Sequence, residues 1–183
     1  MTPAVVTVAA NGAATAARIA ALTGGRVHAC GPGGEDAPSL LPRLFRAGTP
    51  IIGVCAAGII VRLLAPVIAV KHAEPPVIAV SPDGAHVVPL LGGHRGANRM
   101  AREIAAALGG VAALTTASDA RFARGLDEPP AGWVLENPQA AKRAMAAVLA
   151  GAATIALEGR ADWLVEAGYP LAADGAVKAF AGV

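Results

Sequence analysis

The stretch from Pro50 to Asn98 constrains the fold more than any other part of the chain. It reads PIIGVCAAGIIVRLLAP, then VKHAEPPVIAVSPDGAHVVPLLGGHRGAN, and packs an apolar strand, a strand-to-helix turn and a basic glycine-rich loop into one segment. Pro50 to Val54 shows no polar alternation, as expected of a strand buried on both faces. Ala56 to Leu64 follows as a helix stopped by Pro66. Val77 to Val80 and His86 to Leu90 flank Ser81-Pro82-Asp83-Gly84, a turn with proline and glycine where turn chemistry favours them, so these two runs are expected to pair as a hairpin. From Ala97 the apolar positions Met100, Ala101, Ile104, Ala105 and Leu108 recur with helical period, and Gly109-Gly110 closes that helix. The few ionisable groups stand at element ends, which points to a binding cleft at the carboxyl edge of an α/β sheet.

The flanks extend the pattern. Ala4 to Val8 is a β-branched run, and the alanine-rich helix after Asn11-Gly12 ends at Gly24-Gly25. Arg26 to Cys30 gives a second strand. Ser39 is the expected N-cap of a helix reaching Arg46, and Val111 to Thr115 the last strand. Strands alternating with helices on short connections imply a mainly parallel sheet with helices on both faces. After Asp119 the texture turns irregular, with Pro129-Pro130 and Trp133. The expected division is an α/β domain over 1–118 and a small α/β linking subdomain over 119–183. In the latter, Asn137 caps a helix from Pro138 to Leu149, Ala153 to Leu157 is a short strand, and Ala161 to Ala167 a helical turn or two. No closing element is legible in GAVKAFAGV, which reads as part of a longer protein.

Composition narrows the function. A net charge of +2 on dispersed Lys and Arg argues against duplex nucleic acid, and 3% aromatics against single strands. Two cysteines, Cys30 and Cys55, with no apolar leader fit a reducing cytoplasm rather than a disulfide scaffold. Ile51 to Val70 is apolar enough to be weighed as a membrane span, but Arg62, Pro66, Gly53 and Gly58 favour strand, turn and helix. His28, His72, His86 and His94 show no zinc spacing, so neither metal nor cofactor is expected.

The loop Gly92-Gly93-His94-Arg95-Gly96-Ala97-Asn98 joins a strand to a helix. Its glycines let a substrate approach the backbone, and the N–H groups at a helix start attract negative oxygens. His94 can move a proton near neutral pH and Arg95 can fork onto a carboxylate; the plainer reading is a tight turn carrying a solvated pair. No Lys-Ser/Thr follows these glycines and no GxGxxG follows the first strand, which disfavours a P-loop or a dinucleotide site. Cys55, between strand and helix, is either a thiol activated by the helix or a buried small hydrophobe. Arg62, in an otherwise apolar helix, calls for an internal ion pair or a ligand carboxylate. Lys71, His72 and Glu74 form either a solvated linker or a charged cleft rim. Thr115 and Asp119 end the last strand, where they either cap the next segment or face the cleft.

PIIGVCAAGIIVRLLAP, K-x-x-E-P-P-V-I-A-V, V-P-L-L-G-G-H-R-G-A-N, then LTTASDA and GWVLENPQAAKRAMAAVLAG, in that order, resemble the CbiG family of cobalamin biosynthesis, the cobalt-precorrin-5A hydrolases. The resemblance implies an α/β amino-terminal domain and a small linking domain acting on a cobalt-corrinoid or precorrin intermediate. Family members open a ring-A δ-lactone and release acetaldehyde. Given such a substrate, the chemistry of the side chains, rather than the resemblance, assigns His94 as the catalytic residue, handling a proton or positioning water, with Arg62, Lys71, Gly92, Gly93, Arg95, Gly96, Asn98, Thr115 and Asp119 expected to bind the carboxylate-ringed macrocycle. Many relatives carry one more glycine before the Ala-Asn pair, so the loop here is expected to be tighter. The family's carboxyl-terminal domain lies outside this sequence and is an expected partner. The alternative is a non-catalytic corrinoid-binding module, associated with or fused to the precorrin-3B C(17)-methyltransferase.

Overall fold

The computed structural model describes residues 2–70, 73–130 and 132–182, with the backbone but not the side chain of His94. The chain forms two compact units, Met1–Ala113 and Leu114–Val183. The division falls ahead of the expected 118 because the helix Ala117–Arg121 builds into the second unit: Arg121 donates to the Leu149 carbonyl at 3.1 Å, and Phe122 joins that unit's core.

The first unit is a six-stranded sheet of β1 (Ala4–Thr7), β2 (Arg26–Ala29), β3 (Ile51–Val54), β4 (Val77–Val80), β5 (His86–Leu91) and β6 (Val111–Ala112), in the order β2-β1-β3-β4-β5-β6. β1 to β4 are mutually parallel, β4 and β5 form the expected antiparallel hairpin, and β6 runs parallel to β5. Helices α1 (Ala13–Thr23), α2 (Ala37–Arg46), α3 (Ala57–Leu64) and α4 (Ala97–Leu108) cover it. On one face Leu40, Leu41 and Phe45 of α2 and Ile60 and Leu64 of α3 bury Ala4, Val6, Ile51, Val77 and Ala79. The alternate strand positions Val5, Ile52 and Ile78 point the other way, and they too are shut from solvent, as are Ile19 of α1 and Ala101 and Ile104 of α4. Each of these large side chains contributes roughly 1.5–3 kcal/mol by leaving water.

Local chemistry explains the element ends. The cap of α2 is Asp36 rather than the expected Ser39: its Oδ2 accepts from the Ser39 N–H at 3.0 Å and from the Ser39 hydroxyl at 2.5 Å. β6 is two residues long where five were expected, since it pairs only with His86 and Val87. Among the described residues the remainder of β5 therefore has no strand on that side, and this is where Pro89, which cannot donate to a ladder, is tolerated.

In the second unit α5 (Ala117–Arg121) precedes α6 (Pro138–Leu149), which is capped by Asn137 as its sequence suggests, Oδ1 accepting from the Ala140 N–H at 3.0 Å. β7 (Ile155–Gly159), α7 (Asp162–Glu166) and β8 (Val177–Ala181) complete it. The apparent lack of a closing element is corrected here: VKAFA is β8, pairing parallel with β7 from Ile155↔Val177 to Gly159↔Ala181. Its signal is weak because Val177, Ala179 and Ala181 face the core while Lys178 and Phe180 are exposed. Phe122 stacks on Tyr169 at 4.3 Å, with Met145, Val148, Ile155 and Leu164 around them.

Candidate functional site

The reversal of β5 decides where the glycine loop lies. Leu91 pairs with Val77, the first residue of β4, so the chain leaves β5 at the amino edge of the parallel strands. The loop is thus opposite the carboxyl edge where a cleft was expected. A hairpin between β4 and β5 already implies this, because it returns the chain to the start of β4.

At that edge Gly92 has φ of 71° and Gly96 φ of 98°. Between them Gly93–Arg95 is one 3-10 turn, held by Arg95 N–H to the Gly92 carbonyl at 2.9 Å, Gly96 N–H to Gly93 at 3.1 Å and Ala97 N–H to Gly92 at 3.1 Å. α4 starts directly after it, so its first-turn N–H groups and positive dipole end meet the loop. Gly92 rests on the chain entering β4: a Cβ there would stand 2.7 Å from the Pro75 carbonyl oxygen. Arg95 is exposed and Asn98 is buried.

Gly92, Gly93, Arg95, Gly96 and Asn98 thus share one turn with the backbone of His94; Lys71, like His72, falls outside the described residues. α3 returns from the carboxyl edge of β3 toward the loop's edge, and Arg62 occupies its last turn. The apolar surroundings expected around Arg62 are absent, since it lies on the solvent face beside the exposed Val61 and its guanidinium donates to the Gly58 carbonyl at 3.4 Å. Thr115 and Asp119 belong to the second unit. Thr115 is exposed, and Asp119 accepts from the Thr116 hydroxyl in the first turn of α5.

The carboxyl edge of β1 to β3 holds the two thiols. Cys30 and Cys55 each extend the strand next to β1, one beyond Ala29 and one beyond Val54, both of which pair with Thr7. Two strand spacings, roughly 9–10 Å, separate them, beyond the ~7 Å at which a disulfide can close. Burial pushes the Cys55 thiol up to about 11, and burial followed by the charges of Glu35 and Asp36 raises Cys30. Helix α3 therefore does not activate Cys55. At pH 8 alkylation of Cys55 in the native protein should run about 10²-fold slower than after unfolding, as thiolate character dictates, and mass spectrometry of the alkylated protein checks this. A cavity of about 380 Å³ at this edge is lined by uncharged residues, among them Val8, Ala10, Ala13 and Gly33. Beside it Glu35 binds His28 Nδ1 at 2.6 Å. This edge has little to offer a polycarboxylate.

Among the described residues no group of three or more His, Cys, Asp or Glu is arranged to hold a metal, and no helix is long and apolar enough to cross a membrane. The second unit has an apolar cavity of about 270 Å³ walled by Trp133, Leu135, Trp163 and Leu164.

Comparison with known proteins falls on the same region. Residues 39–119 match the family described as "Cobalamin synthesis G N-terminal". That span holds β3 to β6 and the glycine loop, while GWVLENPQAAKRAMAAVLAG lies beyond it. The cobalt-precorrin-5A hydrolase of Priestia megaterium is 37% identical over 103 residues, which is 55% of this chain and 28% of the relative. That of Salmonella typhimurium is 40% identical over 84 residues, 45% of this chain and 24% of the relative. The aligned regions thus span about a quarter of the curated relatives. The crystal structure of a cobalamin biosynthesis protein G homologue from Sulfolobus solfataricus superposes with a TM-score of 0.53 at 20% identity, over 87% of this chain and 49% of that one. This likeness establishes the α/β fold across both units.

Proposed function

We infer that this chain, whose residues 39–119 belong to the CbiG amino-terminal family, works in cobalamin biosynthesis on a cobalt-corrinoid intermediate and opens the ring-A δ-lactone of cobalt-precorrin-5A. The observation that carries this reading is that the family segment encloses the glycine loop at the start of α4. The substrate class fits the chemistry of that edge. A macrocycle with an apolar body and a carboxylate rim suits the exposed Val61, Ile68 and Val70 together with the cations Arg62 and Arg95, and Arg forks onto carboxylates. Lys71 adds a third cation in the segment that follows α3.

In this reading Gly92, Gly93 and Gly96 bring the backbone close to the substrate, Asn98 supports the turn, and α4 faces the negative oxygens of the opening lactone. His94 handles a proton or positions water as the lactone carbonyl is attacked. The carboxyl-terminal portion of the relatives is a partner for the complete reaction, and the cytoplasm is the compartment.

The test is incubation of the purified chain with lactone-containing cobalt-precorrin-5A, acetaldehyde being followed through alcohol dehydrogenase. Release above a protein-free control is the expected result. Corrinoid binding without release would instead favour a non-catalytic module, such as one serving the precorrin-3B C(17)-methyltransferase.

A further inference from the structure

We propose that Glu74 is the carboxylate that takes the proton from the attacking water during lactone opening, an assignment that rests on the hydrolase reading of the same site. Glu74 is 7% exposed, yet no hydrogen bond or ion pair holds its side chain among the described residues. Other buried polar side chains of this unit are satisfied: His28 by Glu35 at 2.6 Å, Thr15 by the Pro82 carbonyl at 2.6 Å, Thr7 by the Ala9 carbonyl at 2.9 Å. Buried polar groups are ordinarily paired, and this carboxylate is committed to no described neighbour. A carboxylate so placed beside a candidate site is available for proton transfer.

Its position supplies the second argument. Glu74 immediately precedes Pro75, the residue against which Gly92 is packed, so it enters the amino edge of the sheet next to the loop. Its oxygens are also not sealed off. Trp163 Nε1 is the one described side-chain polar atom fully enclosed without a partner, so the Glu74 carboxylate keeps a path to solvent although its stem is packed.

A carboxylate is ill suited to binding the carboxylate rim of the substrate, since like charges repel. It is suited to water. As the water oxygen bonds to the lactone carbonyl carbon, Glu74 accepts the proton that water loses. When the ring acyl–oxygen bond breaks, the same proton passes to the departing alkoxide. One water adds, nothing is oxidised or reduced, and Glu74 returns to its starting state.

The test compares wild type with Glu74→Gln, which keeps shape and removes the base, and with Glu74→Ala supplied with formate, under the acetaldehyde assay. Glu74→Gln is expected to lower kcat by about 10²-fold or more, a usual span for a lost general base, with KM within about twofold. It should leave the melting temperature within about 2 °C of wild type, because among the described residues the carboxylate makes no hydrogen bond that the amide would lose. Formate is expected to restore part of the turnover of Glu74→Ala. Turnover of Glu74→Gln within about twofold of wild type overturns the assignment alone. So does a fall in melting temperature with no rescue by formate, which marks a structural role. A wild-type chain that releases no acetaldehyde overturns the hydrolase reading, and the base assignment falls with it.

Discussion

Replacing His94 by alanine should slow acetaldehyde release by about 10²–10⁴-fold, the range general acid–base groups contribute, while the protein stays folded. The backbone at His94 is set by its neighbours: the 3-10 turn closes through Arg95 N–H to Gly92 at 2.9 Å and Gly96 N–H to Gly93 at 3.1 Å, neither needing the imidazole. The circular dichroism spectrum and melting temperature of His94→Ala should therefore match wild type within experimental scatter. Loss of kcat with an unchanged melt supports proton transfer or water positioning by His94. A variant that keeps full activity removes that role, and the loop then serves binding alone. Combining His94→Ala with Glu74→Gln separates the two groups, because residues acting on one proton path lose far less together than the product of their single losses.

Gly92→Ala should destabilise the first unit by about 2–4 kcal/mol and abolish turnover with it. Two costs coincide at this position. An alanine at φ of 71° is strained by roughly 1 kcal/mol or more, and its Cβ would press on the Pro75 carbonyl oxygen at 2.7 Å and on Pro76 N at 2.8 Å. Backbone atoms cannot rotate away as a side chain can, so the β4 entry and the loop must part. The neighbouring glycines grade the prediction. Gly96→Ala meets φ of 98° with only the flexible Arg99 guanidinium near, at 3.6 Å, and should cost about 1 kcal/mol. Gly93→Ala, with no positive φ and its first neighbour Asn98 Oδ1 at 3.4 Å, should be close to neutral. Urea unfolding of the three variants gives the order directly, and a Gly92→Ala protein as stable as Gly93→Ala would contradict the loop geometry.

Both predictions concern a loop whose composition was plain before its location was. GGHRGAN announces a turn between strand and helix, and the hairpin at Ser81-Pro82-Asp83-Gly84 announces that β5 runs back along β4. Taken together these two readings already put the loop at the amino edge, opposite the carboxyl-edge expectation. Arg62 shows a different gap. Its apolar neighbours suggest a buried charge, yet α3 buries Ile60 and Leu64 and turns Arg62 to solvent. For Glu74 the letters K-H-A-E-P-P read as a solvated linker or a charged cleft rim, and neither reading foresees its 7% exposure.

Residue order alone was enough for the α/β class, the spans of β3, α3, α4 and α6, the stop signals Gly24 and Gly109, and the Asn137 cap. Each depends on periodicity, turn chemistry or a hydrogen bond within about four residues, so the information is local. The strand order β2-β1-β3-β4-β5-β6, the pairing of β8 with β7, the edge that receives the glycine loop and the burial of Glu74 depended on the assembled molecule. Those are outcomes of contacts between residues far apart in the chain, where many partners satisfy the same local pattern and only packing of the whole selects among them.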